Sequence, residues 1–572
     1  MRKLLSTAFV AAMLCALPGC QEPDPNMFES HVGKLEDPDA RAEAFNALER
    51  LAKSVATSGN EARGQEFADK VLPVFETIWD DAKEFRVKML ELARAVKRPE
   101  AAGIWAKAIV LDGTSDGHKA AVLALQGIRD AKAVALVEPI VAQFEVLMAD
   151  PSKDKGKLAG QIRLEYAKTL GALGEKKAAP VLIKALEQSA ETQPVAVHKE
   201  ATKSLGLLRD PSAVDALLLV QFRVPDSAST QNIGERAKQA LTAIGAPAVA
   251  PVLKMLRGEH EAVNKLAASN GVEVKVVKQA AAGILGAMGN SQATADLVAY
   301  MPKAGCEQSE PKKKKRKKRR RKKKGKKKVE KVEPDAEAAH LRAFVARALG
   351  TIGDEKAVDA LCSCRNATHN PVDLWEITTA LGRIGGDAAF KCLTDIVKNG
   401  EYDPDVLVNS DFRYEIRWGG GRFLVLAASP GQLGKVRKVF AGQTDPKVKA
   451  ELAQWEPGMK VLEDCKADQA CYTKVLSDTT AEWFAREKAA TELARIAAGD
   501  PAAALAVAKA FKVRDPGARV TMAWLVSKMM GDKSCPECAA ALEAVMKGEK
   551  GTADSKMQMA WLTARQTIAR LR

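Results

Sequence analysis

The cysteines are the residues of this chain with the clearest potential for chemistry. Apart from Cys15 and Cys20, eight cysteines are present, all in the second half of the chain: Cys306, Cys362, Cys364, Cys392, Cys465, Cys471, Cys535 and Cys538. The last two form a C-x-x-C sequence at a predicted helix start, where the helix N-terminus favours a reactive thiolate. The surrounding sequence lacks the alternating strands and helices of a thioredoxin-like domain. A structural bridge is therefore favoured over a redox centre.

The other cysteines are also candidates for disulfides, because an even number is typical of exported proteins. Cys465 and Cys471 enclose a predicted helix–turn–helix loop, and a bridge between them would join its two ends. Cys392 is expected to pair with Cys362 or Cys364. These three cysteines and His369 could instead bind zinc, but their spacing fits no common zinc module. We therefore expect no metal site.

Two further patterns suggest an enzyme only superficially. The G-x-S-x-G sequence at residues 113–117 would need a strand before Ser115 to form a nucleophile elbow, but a helix is predicted there. The glycine run at residues 419–421 lacks the Gly-Lys-Ser/Thr ending of a phosphate-binding loop, and we expect it to mark a break between helices. The six histidines are scattered without an H-E-x-x-H sequence. We predict no catalytic residues, no cofactor and no enzymatic activity.

One segment carries all the excess positive charge. Between residues 312 and 328, 16 of 17 residues are basic, so the remaining chain has 88 − 16 = 72 basic and 72 acidic residues. The basic residues are Lys312, Lys313, Lys314, Lys315, Arg316, Lys317, Lys318, Arg319, Arg320, Arg321, Lys322, Lys323, Lys324, Lys326, Lys327 and Lys328. Self-repulsion and the lack of apolar residues predict a disordered segment.

The basic segment is a candidate polyanion-binding site. No aromatic residue lies between Tyr300 and Phe344, whereas binders of single-stranded nucleic acid usually stack bases on aromatic rings. We therefore expect no specific nucleic-acid partner. The expected partners are anionic lipids, lipopolysaccharide or other polyanions, bound without sequence preference. The alternative, a solvated insertion without function, has equal weight.

The N-terminus predicts export and lipid anchoring. Arg2 and Lys3 precede an apolar stretch from Leu4 to Leu17, which is too short to cross a membrane as a stable helix. The following Leu-Pro-Gly-Cys sequence resembles the bacterial lipobox, which implies that Cys20 receives the lipid and becomes the mature N-terminus. An ordinary secreted protein is the alternative. Two or three acyl chains suffice for stable anchoring.

The expected location is the bacterial cell envelope. Gln21 follows Cys20, in place of the aspartate that retains many Gram-negative lipoproteins at the inner membrane. The resemblance therefore favours the outer membrane, facing the periplasm, with exposure at the cell surface as the alternative. Residues 21–30 are polar and form the expected tether.

A repeated phrase dominates the middle of the chain. Six helix ends have the form Leu-Gly-x-(Ile/Leu/Met)-Gly or a close variant, with second positions at Gly171, Gly206, Thr242, Gly286, Gly350 and Gly382. The steps between them are 35, 36, 44, 64 and 32 residues, and the step of 64 is twice 32. One repeat length of inserted sequence, which contains the basic segment, thus lies between Gly286 and Gly350. Periods in this range indicate stacked helical hairpins.

Helix boundaries are marked by two further signals. The glycines that close the phrase are expected to adopt the left-handed C-cap conformation; they are Gly174, Gly245, Gly289, Gly353 and Gly385. Asp-Pro pairs, with Asp as the N-cap and Pro at the first helical position, are expected to start helices. These pairs begin at Asp37, Asp150, Asp210, Asp445, Asp500 and Asp515.

The repeat resembles the HEAT repeat, especially its phycobilisome-lyase-type form. The best example runs from Ala346 to Leu361 and reads ARALGTIGDEKAVDAL. The match is good over residues 157–302 and 335–399, whereas further hairpins over 34–150 and 410–550 rest on helical periodicity alone. The resemblance implies a right-handed α-solenoid whose concave face is lined by the second helix of each pair. The lyase activity of some relatives does not carry over, because no residue set here would support it.

We therefore predict an all-α solenoid of roughly 11–13 HEAT-like repeats. Its expected segments are a signal peptide (1–19), a lipidated tether (20–33), an N-terminal solenoid part (34–302), a disordered insertion (303–334) and a C-terminal solenoid part (335–572). HEAT-type solenoids are mostly protein-binding scaffolds, so the predicted function is a membrane-anchored scaffold that binds another envelope protein. The alternative is an envelope thiol–disulfide or chaperone-like factor that uses Cys535 and Cys538.

Overall fold

The chain folds as an all-α protein. The computed structural model describes residues 24–111, 114–150, 160–223, 232–301, 336–367, 371–399, 410–444, 446–549 and 555–572, and within these ranges every regular element is an α- or 3₁₀-helix. The chain divides into two compact units, with the boundary between Ser204 and Leu205. The predicted signal peptide, Cys20, Cys306 and the basic segment lie outside the described residues.

The helices are short and follow one another closely. Those of the first unit are α1 Glu29–Val32, α2 Arg41–Ser58, α3 Glu61–Lys70, α4 Leu72–Ile78, α5 Arg86–Val96, α6 Ala102–Ala108, α7 Ser115–Ala131, α8 Val137–Ala149, α9 Gln161–Leu173 and α10 Ala179–Glu187. Helix α11, Val195–Leu208, crosses the boundary.

The second unit contains twenty further described helices. They are α12 Val214–Arg223, α13 Ile233–Ile244, α14 Val249–Arg257, α15 Glu261–Ser269, α16 Val274–Met288, α17 Thr294–Tyr300, α18 Ala336–Ile352, α19 Val358–Ala367, α20 Pro371–Ile384, α21 Gly386–Asn399, α22 Ser410–Ala427, α23 Leu433–Ala441, α24 Pro446–Leu452, α25 Glu456–Cys465, α26 Gln469–Ser477, α27 Trp483–Ile496, α28 Pro501–Lys509, α29 Pro516–Met530, α30 Pro536–Gly548 and α31 Ser555–Leu571.

The phrase ends helices as predicted. It closes α9, α11, α13, α16, α18 and α20, and we call these the phrase helices. At the end of α18, Gly353 has φ +74°, and its main-chain N–H donates to the Leu349 carbonyl at 2.9 Å. Gly174 and Gly289 adopt the left-handed conformation and Gly385 also has positive φ, in agreement with the C-cap prediction. Gly245 differs, because its φ of +79° is combined with a ψ of −135°, outside the left-handed helical region. In the second copy Arg209 takes this position with φ +51°.

The glycine in the middle of the phrase lets neighbouring phrase helices approach closely. A Cβ atom on Gly286 would lie 2.9 Å from the Cα atom of Ala348 in α18. One on Gly350 would lie 2.6 Å from the Cα atom of Ala380 in α20. Since these neighbours are main-chain atoms, they cannot move aside as a flexible side chain would. The small residue is therefore required for packing between repeats.

The Asp-Pro signals are confirmed at three sites and wrong at one. Asp500 and Asp515 cap α28 and α29, with side chains that accept from main-chain N–H groups two or three residues later. Asp210 caps a 3₁₀ turn that leads into α12. At Asp37 the carboxylate accepts from the N–H of Asp39 in a turn, and the helix begins only at Arg41. The pairs at 150 and 445 include residues outside the described ranges.

The glycine run at residues 419–421 does not break a helix, contrary to the prediction. It lies inside α22, which is continuous from Ser410 to Ala427. A Cβ atom on Gly419 would lie 2.5 Å from the Trp375 ring, and one on Gly421 would lie 2.2 Å from the Leu452 side chain. These glycines therefore allow α22 to pack closely against Trp375 on one side and Leu452 on another.

In the second unit one set of helices forms a closed row. In order, the members are α13, α16, α18, α20, α22, α27, α29 and α31, and each packs against the next. Helix α31 also packs against α13 and α16, so the series returns to its start. We call these eight helices the inner row, because the last of them packs against the first two and so closes the series. The phrase helices are thus the inner ones here, and the expectation that the second helix of each pair lines the concave face is wrong for this unit.

Ion pairs recur with the repeat period. In the first unit Arg94 pairs with Asp130 at 2.9 Å and Arg129 with Glu165 at 2.9 Å, both over a separation of 36 residues. In the second unit Arg365 pairs with Asp395 at 2.6 Å over 30 residues. Solvent-exposed pairs are worth about 0–1 kcal/mol each. Glu165 is buried, so its pair with Arg129 is partly shielded from water. The recurrence of these pairs reflects the regular stacking of repeats.

The lengths and apolar character of the described helices limit their ability to span a membrane. Among them, no single helix is both long and apolar enough to cross a membrane. The helices Ile233–Ile244 and Ala246–Arg257 meet the length and composition criteria only as a pair bent by 119°.

Candidate functional site

Among the described residues of the second unit, three pairs of cysteine sulfurs lie at bonding distance. Cys465 and Cys471 are joined across the turn between α25 and α26, with Cα atoms 5.4 Å apart. Cys392 pairs with Cys362 and not with Cys364, over a Cα separation of 6.2 Å. Cys364 is also disulfide-bonded. These bridges connect neighbouring helices and therefore have the form expected of structural disulfides.

The C-x-x-C pair is the third bridge, and it is buried. Cys535 is the N-cap of α30, and its sulfur accepts from the N–H of Cys538 at 3.3 Å. The exposed fractions of the two residues are 5% and 0%. The N–H of Cys535 also donates to the carbonyl of Leu571 at the end of α31, at 2.8 Å. Exchange needs access for an attacking thiolate, so this geometry supports a structural disulfide at the start of α30.

The remaining enzyme-like and metal-like patterns do not form sites among the described residues. Thr114 is the N-cap of α7 and accepts from the N–H of Gly117 at 2.9 Å, while Ser115 is the first residue of that helix. The segment before it ends helix α6, so no strand–turn–helix elbow surrounds the serine. In the ranges that the structure describes, no three His, Cys, Asp or Glu side chains gather in a group that could hold a metal ion.

A group of long-range polar contacts lies where helices of the inner row meet across the row. Trp524 of α29 donates its indole N–H to the carbonyl of Thr351 at 2.6 Å. Lys528, one turn later, has its Nζ 3.4 Å from the carbonyl of Arg383. Both acceptors belong to the last turns of phrase helices, whose carbonyls lack partners within the helix. Helix α29 therefore supplies donors to two consecutive repeats.

Helix α31 makes similar contacts with the first part of the inner row. Gln566 donates to the carboxylate of Glu235 in α13 at 3.2 Å. Arg209 donates to the carbonyl of Ala569 at 3.0 Å. The guanidinium of Arg570 lies against Gly289, where a Cβ atom would come within 2.4 Å of it. A row of polar contacts thus connects the C-terminal helices to the phrase helices, and it occupies part of the surface that a HEAT-type scaffold could offer to a partner.

Charged side chains also collect around the Trp524 contact. Arg347 pairs with Glu376 at 2.5 Å. Arg422 donates to both oxygens of Glu487 at 2.8 and 2.7 Å, and its guanidinium stands 5.1 Å from the Trp483 ring centre. Arg422 also has a buried Nε without a hydrogen-bond acceptor. The inner row therefore contains charged groups where a simple solenoid core would be apolar.

One buried lysine in this region is fully satisfied. The Nζ of Lys488 donates to the carbonyls of Leu426 and Ala428 at 2.9 and 2.8 Å and to Glu492 at 2.8 Å. Burial lowers the pKa of Lys488. All three of its donors are nevertheless used, and Glu492 also accepts from Arg495 at 2.7 Å. This lysine joins the end of α22 to α27 and has a structural role.

The inner-row contacts are not predictable from the sequence, for a physical reason. Trp524, Lys528 and Arg383 look like ordinary helix residues, because their partners are 145–173 residues away. A usable signal was the C-terminal half of α29, where Trp524 and Lys528 are spaced by four residues and so share one helix face. The predicted lipid anchor Cys20 and the predicted polyanion-binding residues of 312–328 lie outside the described residues and remain predictions.

Comparisons with known proteins agree with the repeat architecture. Residues 332–406 match the family model described as HEAT repeats, and residues 162–188 match the PBS lyase HEAT-like repeat. No curated protein matches the chain. The solved structure entitled "Crystal structure of Kap121p" aligns with 95% of this chain and 67% of its own chain, with 13% identity and a TM-score of 0.26. A TM-score this low supports no conclusion about function. The chain is an all-α solenoid with HEAT-like repeats.

Proposed function

We propose that this protein is a non-catalytic scaffold of the bacterial cell envelope that binds another envelope protein on its HEAT-like repeats. The observation that carries the proposal is the stacked helical repeat itself, with its two matches to HEAT-type family models. Repeat solenoids present long surfaces built from equivalent positions of successive hairpins. Such surfaces suit a protein partner better than a small substrate.

The partner surface is limited by the contacts of the second unit. Helices α29 and α31 cover parts of α13, α16, α18 and α20. The proposed partner therefore binds the repeat surface that remains exposed, which includes the exposed faces of α8 and α10 in the first unit. Exposed ion pairs there, such as Lys177–Glu138 and Lys184–Glu145, provide side chains for a polar interface.

Membrane anchoring and polyanion binding belong to the same proposal. The lipobox-like sequence before Cys20 supports lipid attachment, and Gln21 supports the outer membrane facing the periplasm. The sixteen basic residues between 312 and 328 support contact with anionic lipid, lipopolysaccharide or another polyanion. In this arrangement the lipid holds the chain at the membrane while the repeats bind the partner.

The runner-up is an envelope thiol–disulfide or chaperone-like factor that uses Cys535 and Cys538. Its motivation is the position of the pair at the N-terminus of α30. Against it stands the burial of both sulfurs, because an exchange reaction would need prior movement of α31. A thiol titration of the native protein separates the two functions. A scaffold should show no readily reducible dithiol, and rapid reduction of this pair under native conditions would favour the runner-up.

The test of the scaffold begins with a pull-down from detergent-solubilised envelope, followed by purification of the captured protein and direct titration. Three baits are compared: the full chain, a chain without residues 305–333, and a chain with Cys20→Ala. We expect a stoichiometric complex with all three baits in detergent, because the repeats supply the interface. Loss of Cys20 should release the bait from membranes in cells. Failure of the purified proteins to bind each other would contradict the scaffold proposal.

Salt dependence separates the basic segment from the repeats. Binding of the full chain to anionic vesicles should weaken steeply with salt, and for duplex DNA the log–log slope is about −0.9 per phosphate neutralised. Deleting residues 312–328 should flatten this dependence and leave the protein complex intact. If the deletion abolished the protein complex and spared vesicle binding, the roles of segment and repeats would be reversed.

A further inference from the structure

Two cations of the inner row lie against one indole ring. The guanidinium carbon of Arg383, in the last turn of α20, is 5.9 Å from the ring centre of Trp524. The Nζ of Lys528, on α29, is 5.0 Å from the same ring centre. The two positive groups come from different helices and meet at a Trp524 ring that is only 4% exposed. Bringing like charges together in this way is unfavourable without a compensating anion.

Neither cation forms an ion pair with a carboxylate in the described part of the chain, although Glu355 attracts Lys528 at longer range. Lys528 donates only to the main-chain carbonyl of Arg383, at 3.4 Å, and the Arg383 guanidinium has no hydrogen-bond acceptor there. The nearby carboxylates of Glu376 and Glu487 are engaged by Arg347 and Arg422. They attract Arg383 at longer range, while Arg347 and Arg422 repel it. A guanidinium offers five N–H donors in one plane. Those of Arg383 donate to no acceptor among the described residues.

Solvent reaches this pair even though protein surrounds it. The Lys528 side chain is exposed and that of Arg383 is partly exposed. The surrounding protein nevertheless removes enough water to lower the pKa of Lys528 and of Arg383. Gly353 borders the same space, since a Cβ atom there would lie 3.3 Å from the Lys528 Nζ and 3.4 Å from the Trp524 ring. A side chain at position 353 would therefore crowd both Lys528 and Trp524.

We propose that Arg383 and Lys528 form a binding site for an oxyanion, the carboxylate of a small organic acid or a phosphate group. The guanidinium would donate two parallel hydrogen bonds to the anion, and the ammonium would add a third from the other side. The Trp524 ring would form a flat apolar wall. The site is independent of the proposed scaffold surface, because both of its cations lie where the inner row touches itself.

The test is isothermal titration of the full chain, purified in detergent at low salt, with sodium phosphate and with sodium succinate. Arg383→Gln and Lys528→Met remove one cation each. Lys435→Met, which removes an exposed cation from α23 with no ion pair in the described structure, is the matched control. The basic residues of 312–328 are present in all four proteins, so their contribution cancels in the comparison.

We expect a Kd below about 1 mM for at least one of the two anions. Arg383→Gln and Lys528→Met should each weaken binding about tenfold, the loss expected for one charge-assisted hydrogen bond. Lys435→Met should leave it unchanged. Preference for phosphate or for succinate identifies which oxyanion the site takes.

If Arg383→Gln alters the circular dichroism spectrum, the Lys528→Met variant becomes the deciding comparison, since the Lys528 side chain is exposed. Equal binding by wild type and Lys528→Met, or no binding of either anion by wild type, would overturn the proposal.

Discussion

The two units use the same kind of helix but connect it differently. In the first unit, the helix pairs that pack most extensively are at most three helices apart in the chain, as for α2 with α5. In the second unit, α13 packs against α31, which is the last helix of the protein. A repeat phrase therefore determines how neighbours stack, while long-range closure depends on individual side chains such as Trp524 and Arg209. Helices with similar local sequences can thus form either a series in which each packs only on near neighbours in the chain, or a row in which the last helix packs on the first.

The largest expected effect comes from removing the same leucine of the phrase in each unit. Leu170 in α9 and Leu349 in α18 are both fully buried. Leu170→Ala and Leu349→Ala should each lower the free energy of unfolding by roughly 2–5 kcal/mol, because each leaves a cavity in a packed core. Urea unfolding followed by circular dichroism measures both. An effect on only one unit would show that the phrase has different structural roles in the two regions.

Disulfide removal should affect only the second unit, because no cysteine lies between residues 21 and 305. Cys465→Ser with Cys471→Ser opens the bridge between α25 and α26. We expect a loss of about 2 kcal/mol in the free energy of unfolding, mainly through the larger entropy of the unfolded chain. Non-reduced peptide mapping should recover the Cys465–Cys471 link in wild type. Recovery of both as free thiols would contradict the pairing.

Closure of the inner row can be weakened through one hydrogen bond. Trp524→Phe keeps an aromatic ring but removes the donor to the Thr351 carbonyl. The expected cost is about 0.5–1.5 kcal/mol, the usual net value of one hydrogen bond. Hydrogen exchange should accelerate in the last turn of α18 and in α31, whereas α2 to α9 should exchange as in wild type. Faster exchange throughout the first unit would mean that the units are not energetically separate.

The smallest effect should come from deleting residues 305–333. Flexible loop length changes the free energy of closure by only about 0.6 kcal/mol per doubling, so thermal unfolding should be nearly unchanged. A deletion of equal length that removes α20 is the contrasting variant, since that helix packs on both α18 and α22. Substantial loss of helix content after the 305–333 deletion would show that the segment contributes to the fold.

The sequence predicted the parts of this fold that depend on local chemistry. The phrase located helix ends at Gly353 and its equivalents, and the Asp-Pro pairs at Asp500 and Asp515 located helix starts, because caps depend on residues only a few positions apart. The prediction of a helix break at the glycine run 419–421 was wrong, because a glycine that allows close packing cannot be distinguished in sequence from one that ends a helix.

The site was less predictable than the fold. The burial of Cys535 and Cys538 depends on α28 and α31, and sequence spacing alone does not show which helix will cover a thiol. The clustering of charged side chains around Trp524 could not be predicted, because a basic residue on a helix is usually exposed to solvent. Their significance appears only when Arg383 and Lys528 are brought together from residues 145 positions apart in the chain.

The closed inner row has a consequence for the order in which the protein folds. The first unit can form as the chain emerges, because its helices pack on neighbours that have already been made. The second unit cannot complete its row until the last residues are present, since Arg209 meets Ala569 across 360 residues and Gln566 meets Glu235 across 331. Forming such distant contacts is slow compared with local stacking. During synthesis, the phrase helices α13 and α16 therefore remain uncovered on the side that α31 contacts until α31 has been made.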